Sequence, residues 1–248
     1  MKKDIIIIGG GPAGLSLASS LANTDLNIII IEKQTIKQLA FAVYDGREIA
    51  LTHFSKKILK DLGVWNRIPT NKISPIKEAK VLDGNSPYTL HFDHRKVKKE
   101  ALGYLISNHL IRRALYKEII TKPNIKIISN ASVVNVNTND VCASVTLSNK
   151  KKIQAPLIVA ADSRNSQIRK IMGISAKIED FRRVAIVCRM KHMKHHRHIA
   201  YECFNYGETL AVLPLAKNVS SIILTIPNEK SAKMMNINKN EFNSYITN

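Results

Sequence analysis

The distribution of apolar and polar residues predicts a parallel sheet at the start of the chain. Residues 5–8 and 28–31 are two runs of four consecutive isoleucines, which is typical of strands that are buried on both faces. A glycine-rich turn and the segment Leu-Ser-Leu-Ala-Ser-Ser-Leu-Ala, residues 15–22, lie between them. The first 32 residues therefore predict a strand, a tight turn, a helix and a second strand.

The remaining pattern predicts helices in the middle of the chain and strands towards its end. Apolar residues recur at helical spacing in residues 54–62 and 107–119, and they alternate with polar ones at 88–92, which favours a hairpin. Short strand patterns at 125–129, 132–136 and 142–147 predict a small antiparallel meander, and 157–161 predicts another buried strand. The later predicted elements are strands at 184–190, 200–204, 209–213 and 220–226 and a short helix at 241–246.

These patterns predict an α/β protein with two domains. A Rossmann-like nucleotide-binding domain is expected at residues 1–73 and 98–175, and a β-rich domain at residues 74–97 and 176–248. A chain of 248 residues can bury a full core. No apolar stretch reaches the roughly 18 residues of a membrane span, so any membrane contact is expected to be peripheral.

The turn after the first isoleucine run has the spacing of a dinucleotide-binding motif. Gly9 allows the tight turn, Gly11 lets the backbone approach a pyrophosphate, and Gly14 lets the helix pack closely on the strand. The free N–H groups and the positive dipole end of the helix N-terminus favour a phosphate. The whole turn, with Pro12 and Ala13, is therefore predicted to bind a cofactor.

An acidic residue at the end of the second isoleucine run completes the motif. Glu32 lies 18 residues after Gly14, where a carboxylate can accept hydrogen bonds from ribose hydroxyls. It favours FAD or NAD over a 2′-phosphorylated nucleotide, and the adjacent Lys33 is also a cofactor-binding candidate. The alternative interpretation is a secretory signal, because Met-Lys-Lys precedes an apolar run. Asp4, the glycines within the run and the acid at the strand end argue against it.

Net charge and cysteine content narrow the functional classes. The formal charge is +19, but the lysines are dispersed and no nucleic-acid-binding motif is present, so we expect no nucleic-acid partner. Attraction to an anionic membrane surface is expected. The three cysteines are odd in number and lack the spacing of metal ligands. They are typical of reduced thiols in the cytoplasm.

The histidine-rich segment at residues 192–198 has two interpretations. Its four imidazoles suit zinc, copper or nickel. However, Lys191, Lys194 and Arg197 are interleaved with them and would repel a cation. We therefore favour a solvated basic loop between strands, which is also suited to contact lipid headgroups, and we expect no metal site.

Several separated motifs together are similar to those of the FAD-dependent aromatic-ring hydroxylases, and within them the ubiquinone-biosynthesis branch. The matching stretches are residues 9–14 with Glu32, 46–65, 101–115, 157–169, 200–204 and 213–215. This resemblance implies an FAD-binding domain of the glutathione-reductase/p-hydroxybenzoate-hydroxylase type, with a β-sheet-rich substrate domain.

The resemblance also implies roles for individual residues. Arg47 would reach the FAD near its pyrophosphate or ribityl chain, Asn108 would sit beside the flavin, and Arg112 is a further candidate one turn on. Asp162, Ser166 and Arg169 match the family's Asp-Gly motif at a strand end. Ser163 stands where the family has glycine, which puts the close backbone approach there in question.

The family's chemistry implies FAD as cofactor, NAD(P)H as reductant, and O2-dependent hydroxylation of an aromatic ring of a ubiquinone precursor. The substrate would be a polyprenylated phenol or quinol. The protein would be cytoplasmic and would bind this substrate at the inner face of the membrane or in a ubiquinone-biosynthesis complex. Because the cofactor carries the chemistry, we expect no catalytic amino-acid nucleophile.

Two alternatives remain open at this stage. The family has a later Gly-Asp motif that grips the flavin, whereas none of the ten glycines here precedes an aspartate, so we expect a C-terminal truncation relative to the family. A catalytically incomplete FAD-binding protein, truncated or acting as an accessory subunit, is therefore one alternative. An NAD-dependent dehydrogenase is the other.

Overall fold

The computed structural model describes residues 3–205 and 207–247, which divide into two compact units. The first unit comprises the described residues within Met1–Arg47, Phe54–Thr70 and Ser107–Lys177. The second unit comprises those within Glu48–His53, Asn71–Ile106 and Ile178–Asn248.

The strands are numbered in chain order. They are β1 (Ile5–Ile8), β2 (Ile28–Ile31), β3 (Glu48–Leu51), β4 (Ser74–Ile76), β5 (Glu78–Asp83), β6 (Thr89–Asp93), β7 (Gly103–Ser107), β8 (Ile125–Ile128), β9 (Val133–Thr138), β10 (Ala143–Leu147), β11 (Lys152–Ala155), β12 (Leu157–Ala160), β13 (Arg183–Lys191), β14 (Ile199–Asn205), β15 (Glu208–Pro214) and β16 (Val219–Pro227).

The helices are numbered in the same way. The α-helices are α1 (Pro12–Ser20), α2 (Ile36–Ala40), α3 (His53–Asp61), α4 (Asn108–Ile119), α5 (Gln167–Ile171), α6 (Asn228–Asn236) and α7 (Lys239–Thr247), and short 3-10 helices lie at Trp65–Arg67 and Thr70–Lys72. Among the described residues, none of these helices is both long and apolar enough to cross a membrane.

The first unit is built on a parallel sheet with the strand order β12-β1-β2-β8. The isoleucines of β1 and β2 are aligned in register, with Ile5 opposite Ile28, and all eight are buried. The α/β fold with a buried parallel sheet is therefore confirmed. The prediction that residues 125–129 begin a meander is wrong, because β8 pairs in parallel with β2. The meander consists of β9, β10 and β11.

The core of the first unit explains why the isoleucine strands are buried on both faces. Alternate residues of β1 and β2, including Ile6 and Ile29, pack with Val145 and Leu147 of the meander. Helices α1 and α4 pack against each other, and α1 also contacts β1 and β2. Each fully buried isoleucine contributes about 1.5–3 kcal/mol to folding, so this double packing holds the strand ends in fixed positions.

The second unit contains a six-stranded sheet with the order β13-β16-β15-β14-β5-β6. Its neighbours are antiparallel except for β14 and β5, which run parallel. A separate three-stranded sheet has the order β3-β7-β4. The prediction of a β-rich C-terminal region is therefore confirmed.

The division of the chain differs from the predicted domain boundaries. Residues 48–53 and 98–106, which the patterns assigned to the nucleotide-binding domain, belong to the second unit. The reason is backbone pairing, because β3 and β7 form one sheet with β4. Helix α6 was not predicted from the sequence, and none of its residues is buried.

Candidate nucleotide-binding site

A cleft of about 430 Å³ lies at the carboxyl ends of the parallel strands of the first unit. Its walls come from the turn after β1, the residues after β2, and the loop that follows β12. In an open α/β sheet, this edge is where ligands bind. The topology therefore brings the predicted motifs, far apart in sequence, to one place.

Two of the motif glycines are required by close backbone packing. Gly9 has φ +113°, and a Cβ there would overlap the carbonyl group of Ala161. A Cβ on Gly14 would overlap the carbonyl oxygen of Gly9. Gly11 differs, because a Cβ there would meet no heavy atom within 4 Å. The space beside Gly11 is therefore open to a ligand.

The start of helix α1 forms part of the cleft wall. Gly11 is the N-cap residue and no side chain caps the helix, so the positive end of the helix dipole is available to an anion. Pro12 lines the cleft, whereas Gly14 is buried beneath it. Ala13 is exposed and is not among the described residues that line the cleft.

Glu32 is held rigidly in the cleft wall and is 7% exposed. One carboxylate oxygen accepts the N–H of Gly10 at 2.5 Å, and the other accepts the N–H of Gln34 at 2.8 Å. Each oxygen has a further lone pair. The carboxylate can therefore still accept a ribose hydroxyl. Lys33 is exposed and also lines the cleft.

Asp162 contributes an acceptor with no partner. Its Oδ2 accepts the N–H groups of Gln167 at 2.8 Å and Ile168 at 3.2 Å, which fixes the start of α5. Its Oδ1 is buried and has no hydrogen-bond partner among the described residues. The next residue, Ser163, has φ +92°. This serine adopts a conformation that favours glycine, so the departure from the Asp-Gly pattern leaves the backbone turn in place.

Arg47 reaches the cleft from a small polar cluster. Its guanidinium donates to Asp45 at 2.5 and 3.0 Å, and Asn108 Nδ2 donates to the same carboxylate at 2.6 Å. Burial raises the pKa of Asp45, but the hydrogen bonds from Arg47 and Asn108 outweigh it and the net pKa is lowered. Asn108 is buried and is not among the described residues that line the cleft. It contacts Arg47 through its backbone and through Asp45.

Arg112 is half-buried on α4 and lines the cleft. Its Nη2 donates to Gln34 Oε1 at 2.5 Å. Its Nε is buried and unpaired among the described residues. An unpaired buried donor is costly, so this atom is available for a ligand acceptor.

Two residues of the site, Asp45 and Gln34, were not predicted from the sequence. Each binds a predicted site residue across a long separation in sequence, 63 residues for Asp45 with Asn108 and 78 for Gln34 with Arg112. The signal for Asp45 was its position two residues before Arg47. Gln34 carried no such signal beyond its place after the Glu32 motif.

The charges of the cleft match a dinucleotide. Lys33, Arg47 and Arg112 are cations beside the uncapped helix N-terminus, which suits a pyrophosphate. Glu32 and Asp162 are carboxylates, which suit ribose hydroxyls. The residues present therefore fit an adenine dinucleotide such as FAD.

One group of three candidate metal ligands lies elsewhere, in the second unit. Among the described residues, ligand atoms of Glu78, His91 and Asp93 lie within 4.8 Å of one another. Arg95 donates to both carboxylate oxygens of Asp93, at 3.0 and 2.6 Å. These hydrogen bonds hold the pKa of Asp93 well below its usual range. A guanidinium thus already compensates this carboxylate, and we assign no metal to the group.

Comparison with known proteins identifies relatives of this chain. A family model described as an FAD binding domain matches residues 2–244. The chain is 45% identical to the ubiquinone hydroxylase UbiM of Neisseria meningitidis, over 97% of this chain and 53% of that protein. It is 31% identical to the ubiquinone hydroxylase UbiL of Rhodospirillum rubrum, over 90% of this chain and 51% of that protein. The chain therefore spans about half the length of the curated relatives it matches.

The fold is also similar to that of a solved structure. A mutant of P. aeruginosa PqsL superposes with a TM-score of 0.81 over 95% of this chain and 64% of that chain. The two sequences are 14% identical. At that identity, the similarity concerns the fold alone.

Proposed function

Since this chain belongs to the family of FAD binding domains, we propose that it binds FAD in the cleft of the first unit and acts as an FAD-dependent monooxygenase. The reaction is the hydroxylation of an aromatic ring of a ubiquinone precursor with NAD(P)H and O2. The family match favours this function over an NAD-dependent dehydrogenase.

The observation that carries the proposal is a pair of unsatisfied polar atoms on the cleft walls. Within the described residues, the acceptor Asp162 Oδ1 and the donor Arg112 Nε are both buried without a partner. Buried polar atoms in folded proteins are nearly always hydrogen-bonded. A ligand that offers both hydroxyl and phosphate groups would satisfy both atoms, and FAD is such a ligand.

Each cleft residue has a separate role in this proposal. Glu32 and Asp162 accept hydrogen bonds from hydroxyl groups, and Arg47 and Arg112 neutralise the phosphates. Asp45 and Asn108 position Arg47. When bound, the flavin supplies hydride acceptance and oxygen activation. The protein therefore needs to bind and orient it rather than provide a nucleophile.

The substrate assignment is supported by the named relatives. UbiM and UbiL are ubiquinone hydroxylases, which supports a polyprenylated phenol or quinol as the substrate. Such a substrate lies in a membrane. The formal charge of +19 supports peripheral contact with its anionic surface, which we place at the cytoplasmic face of the inner membrane. Association with a ubiquinone-biosynthesis complex would serve the same purpose.

The function is tested with the FAD-loaded chain in two steps. Mixing with NADH or NADPH without oxygen should bleach the flavin absorbance. Adding oxygen and a short-chain prenylated phenol should then give a product heavier by one oxygen atom in mass spectrometry. Flavin that binds but is neither reduced nor able to support oxygen insertion would contradict the monooxygenase assignment and favour FAD binding without catalysis.

A further inference from the structure

A compact basic loop connects β13 to β14 in the second unit. This histidine loop, residues 192–198, contains four histidines together with Met193, Lys194 and Arg197. Each imidazole has its ring centroid 4.8–6.0 Å from that of at least one other. Several basic groups are therefore concentrated in seven residues.

Hydrogen bonds tie the histidine loop to the turn between β15 and β16. The N–H of His192 donates to the carbonyl oxygen of Asn218 at 3.0 Å, and Asn218 Nδ2 donates back to the carbonyl oxygen of Met193 at 3.0 Å. His196 Nε2 donates to the carbonyl oxygen of Ala216 at 2.6 Å. The loop therefore presents its side chains from a fixed backbone.

Both ring nitrogens of His192 and of His196 are already engaged in ways that disfavour a metal. His192 contacts the carbonyl oxygen of Lys194 through Nδ1 and the hydroxyl of Ser220 through Nε2. Nδ1 of His196 accepts the N–H of His198 at 3.0 Å, and its other nitrogen is bound to Ala216. A metal would have to break these bonds, whereas an anion would not.

A cavity of about 680 Å³ lies beside the histidine loop. Lys80, Lys194 and Arg197 contribute fixed positive charge to its lining, and Tyr201 and Val212 contribute apolar surface. None of the described lining residues carries a carboxylate. The cavity thus combines a positive field with an apolar wall, which suits a phosphate ester attached to an apolar chain.

Met193 gives a second, independent observation. Its side chain is 96% exposed, and it is flanked in sequence by His192 and Lys194, with Lys191 just before them. Segments that bind an anionic membrane at the level of its headgroups typically combine an exposed apolar side chain with neighbouring cations.

We propose that the histidine loop is the site at which this chain binds anionic phospholipid in a bilayer. Lys194, Arg197 and Lys80 bind the phosphate groups, and Met193 inserts among the headgroups. The inference rests on the proposed function, in which the substrate lies in a membrane, and it adds the specific surface that meets the lipid.

The test is flotation of the FAD-loaded full chain with two kinds of vesicle, phosphatidylcholine alone and phosphatidylcholine with phosphatidylglycerol. The double variant Lys194→Ala/Arg197→Ala should bind the anionic vesicles roughly tenfold or more weakly, because each basic residue near the surface contributes appreciably to binding. Met193→Ser should weaken binding by a smaller factor. The matched control Lys57→Ala/Lys60→Ala removes the same charge from exposed positions of α3 and should bind nearly as well as the wild type.

Three results would overturn the proposal. They are equal losses in the loop and control variants, wild-type binding that does not depend on phosphatidylglycerol, and saturable binding of inorganic phosphate at the loop without vesicle binding. The FAD absorbance of each variant separates this proposal from the proposed function. Loss of vesicle binding with FAD retained concerns the loop alone, whereas a wild-type chain that binds vesicles but not FAD contradicts only the proposed function.

Discussion

The carbonyl oxygen of Gly9 occupies the position that a methyl group on Gly14 would need. This contact locks the first turn of α1 onto the end of β1, so that the helix N-terminus is fixed beside the cleft.

Gly14→Ala should therefore lower the free energy of unfolding by about 1–3 kcal/mol, because the backbone must shift to relieve the overlap. The matched variant Gly11→Ala meets no atom within 4 Å. It should leave stability within about 0.5 kcal/mol of wild type but weaken FAD binding. Urea unfolding and FAD titration measure the two effects, and a Gly14→Ala protein as stable as the wild type would contradict this account.

Replacing Asp162, whose Oδ1 has no partner among the described residues, should affect ligand binding more than the stability of the fold. Asp162→Asn keeps an acceptor for the N–H groups at the start of α5 but removes the charge, so FAD affinity should fall roughly tenfold or more. Ser166→Ala is the matched control. The Ser166 hydroxyl accepts the Arg169 N–H at 2.9 Å in the same turn, and its loss should cost about 1 kcal/mol of stability without changing FAD affinity. Similar FAD affinities in the two variants would argue against a ligand contact by Asp162.

Ser163 provides a test of backbone strain. Its φ of +92° is unfavourable for a residue with a Cβ. Removing the strain should stabilise the folded state by about 1–3 kcal/mol. Glycine costs roughly 0.4–1 kcal/mol because it makes the unfolded chain more flexible, so the gain exceeds the cost. Ser163→Gly should therefore raise the melting temperature by about 2–4 °C, whereas Ser163→Ala should not. A lower melting temperature for the glycine variant would show that the strain is absent.

A buried ion-pair cluster predicts how stability depends on pH. Glu118 accepts from Arg67 at 2.7 Å and lies 2.9 Å from Lys122 Nζ. Burial raises the pKa of Glu118, but the hydrogen bonds from Lys122 and Arg67 outweigh it, so the pKa in the folded protein lies below the ordinary 4.5. The stabilisation is therefore present above the unfolded pKa and is lost as pH falls through the lowered folded value.

Glu118→Gln should cost about 1.5–3 kcal/mol at pH 7, the range for hydrogen bonds to charged groups. The difference from wild type should shrink as pH falls from about 4.5, where the carboxyl of the unfolded chain becomes protonated, through the lowered pKa of the folded protein, where the native carboxylate also becomes neutral. Chemical denaturation at a series of pH values measures this. A difference that does not change with pH would show that packing, rather than charge, is what Glu118 contributes.

Local patterns predicted the parts of the fold that depend on neighbouring residues. The isoleucine runs at residues 5–8 and 28–31 indicated buried parallel strands, and the glycine spacing indicated the turn that the structure shows. β8 was assigned to the meander because a short apolar run does not reveal which sheet it joins. Helix α6 was also missed, and none of its residues is buried.

The site was less predictable because part of it depends on long-range contacts. Glu32, Arg47 and Asp162 were found from motifs, and the structure places all three around one cleft. The contacts of Asp45 with Asn108 and of Gln34 with Arg112 require the complete fold. Local sequence does not show which distant side chains meet, so the hydrogen-bond partners of Asn108 and Arg112 could not be predicted.

A calorimetric titration of the purified chain with FAD, repeated with NAD and with the Asp162→Asn variant, tests whether this cleft binds FAD. We expect saturable binding of one FAD per chain, much weaker binding of NAD, and roughly tenfold or more lower FAD affinity in the variant. Absence of saturable FAD binding, a preference for NAD, or FAD binding that is unchanged by Asp162→Asn would contradict the assignment of this cleft as the FAD site.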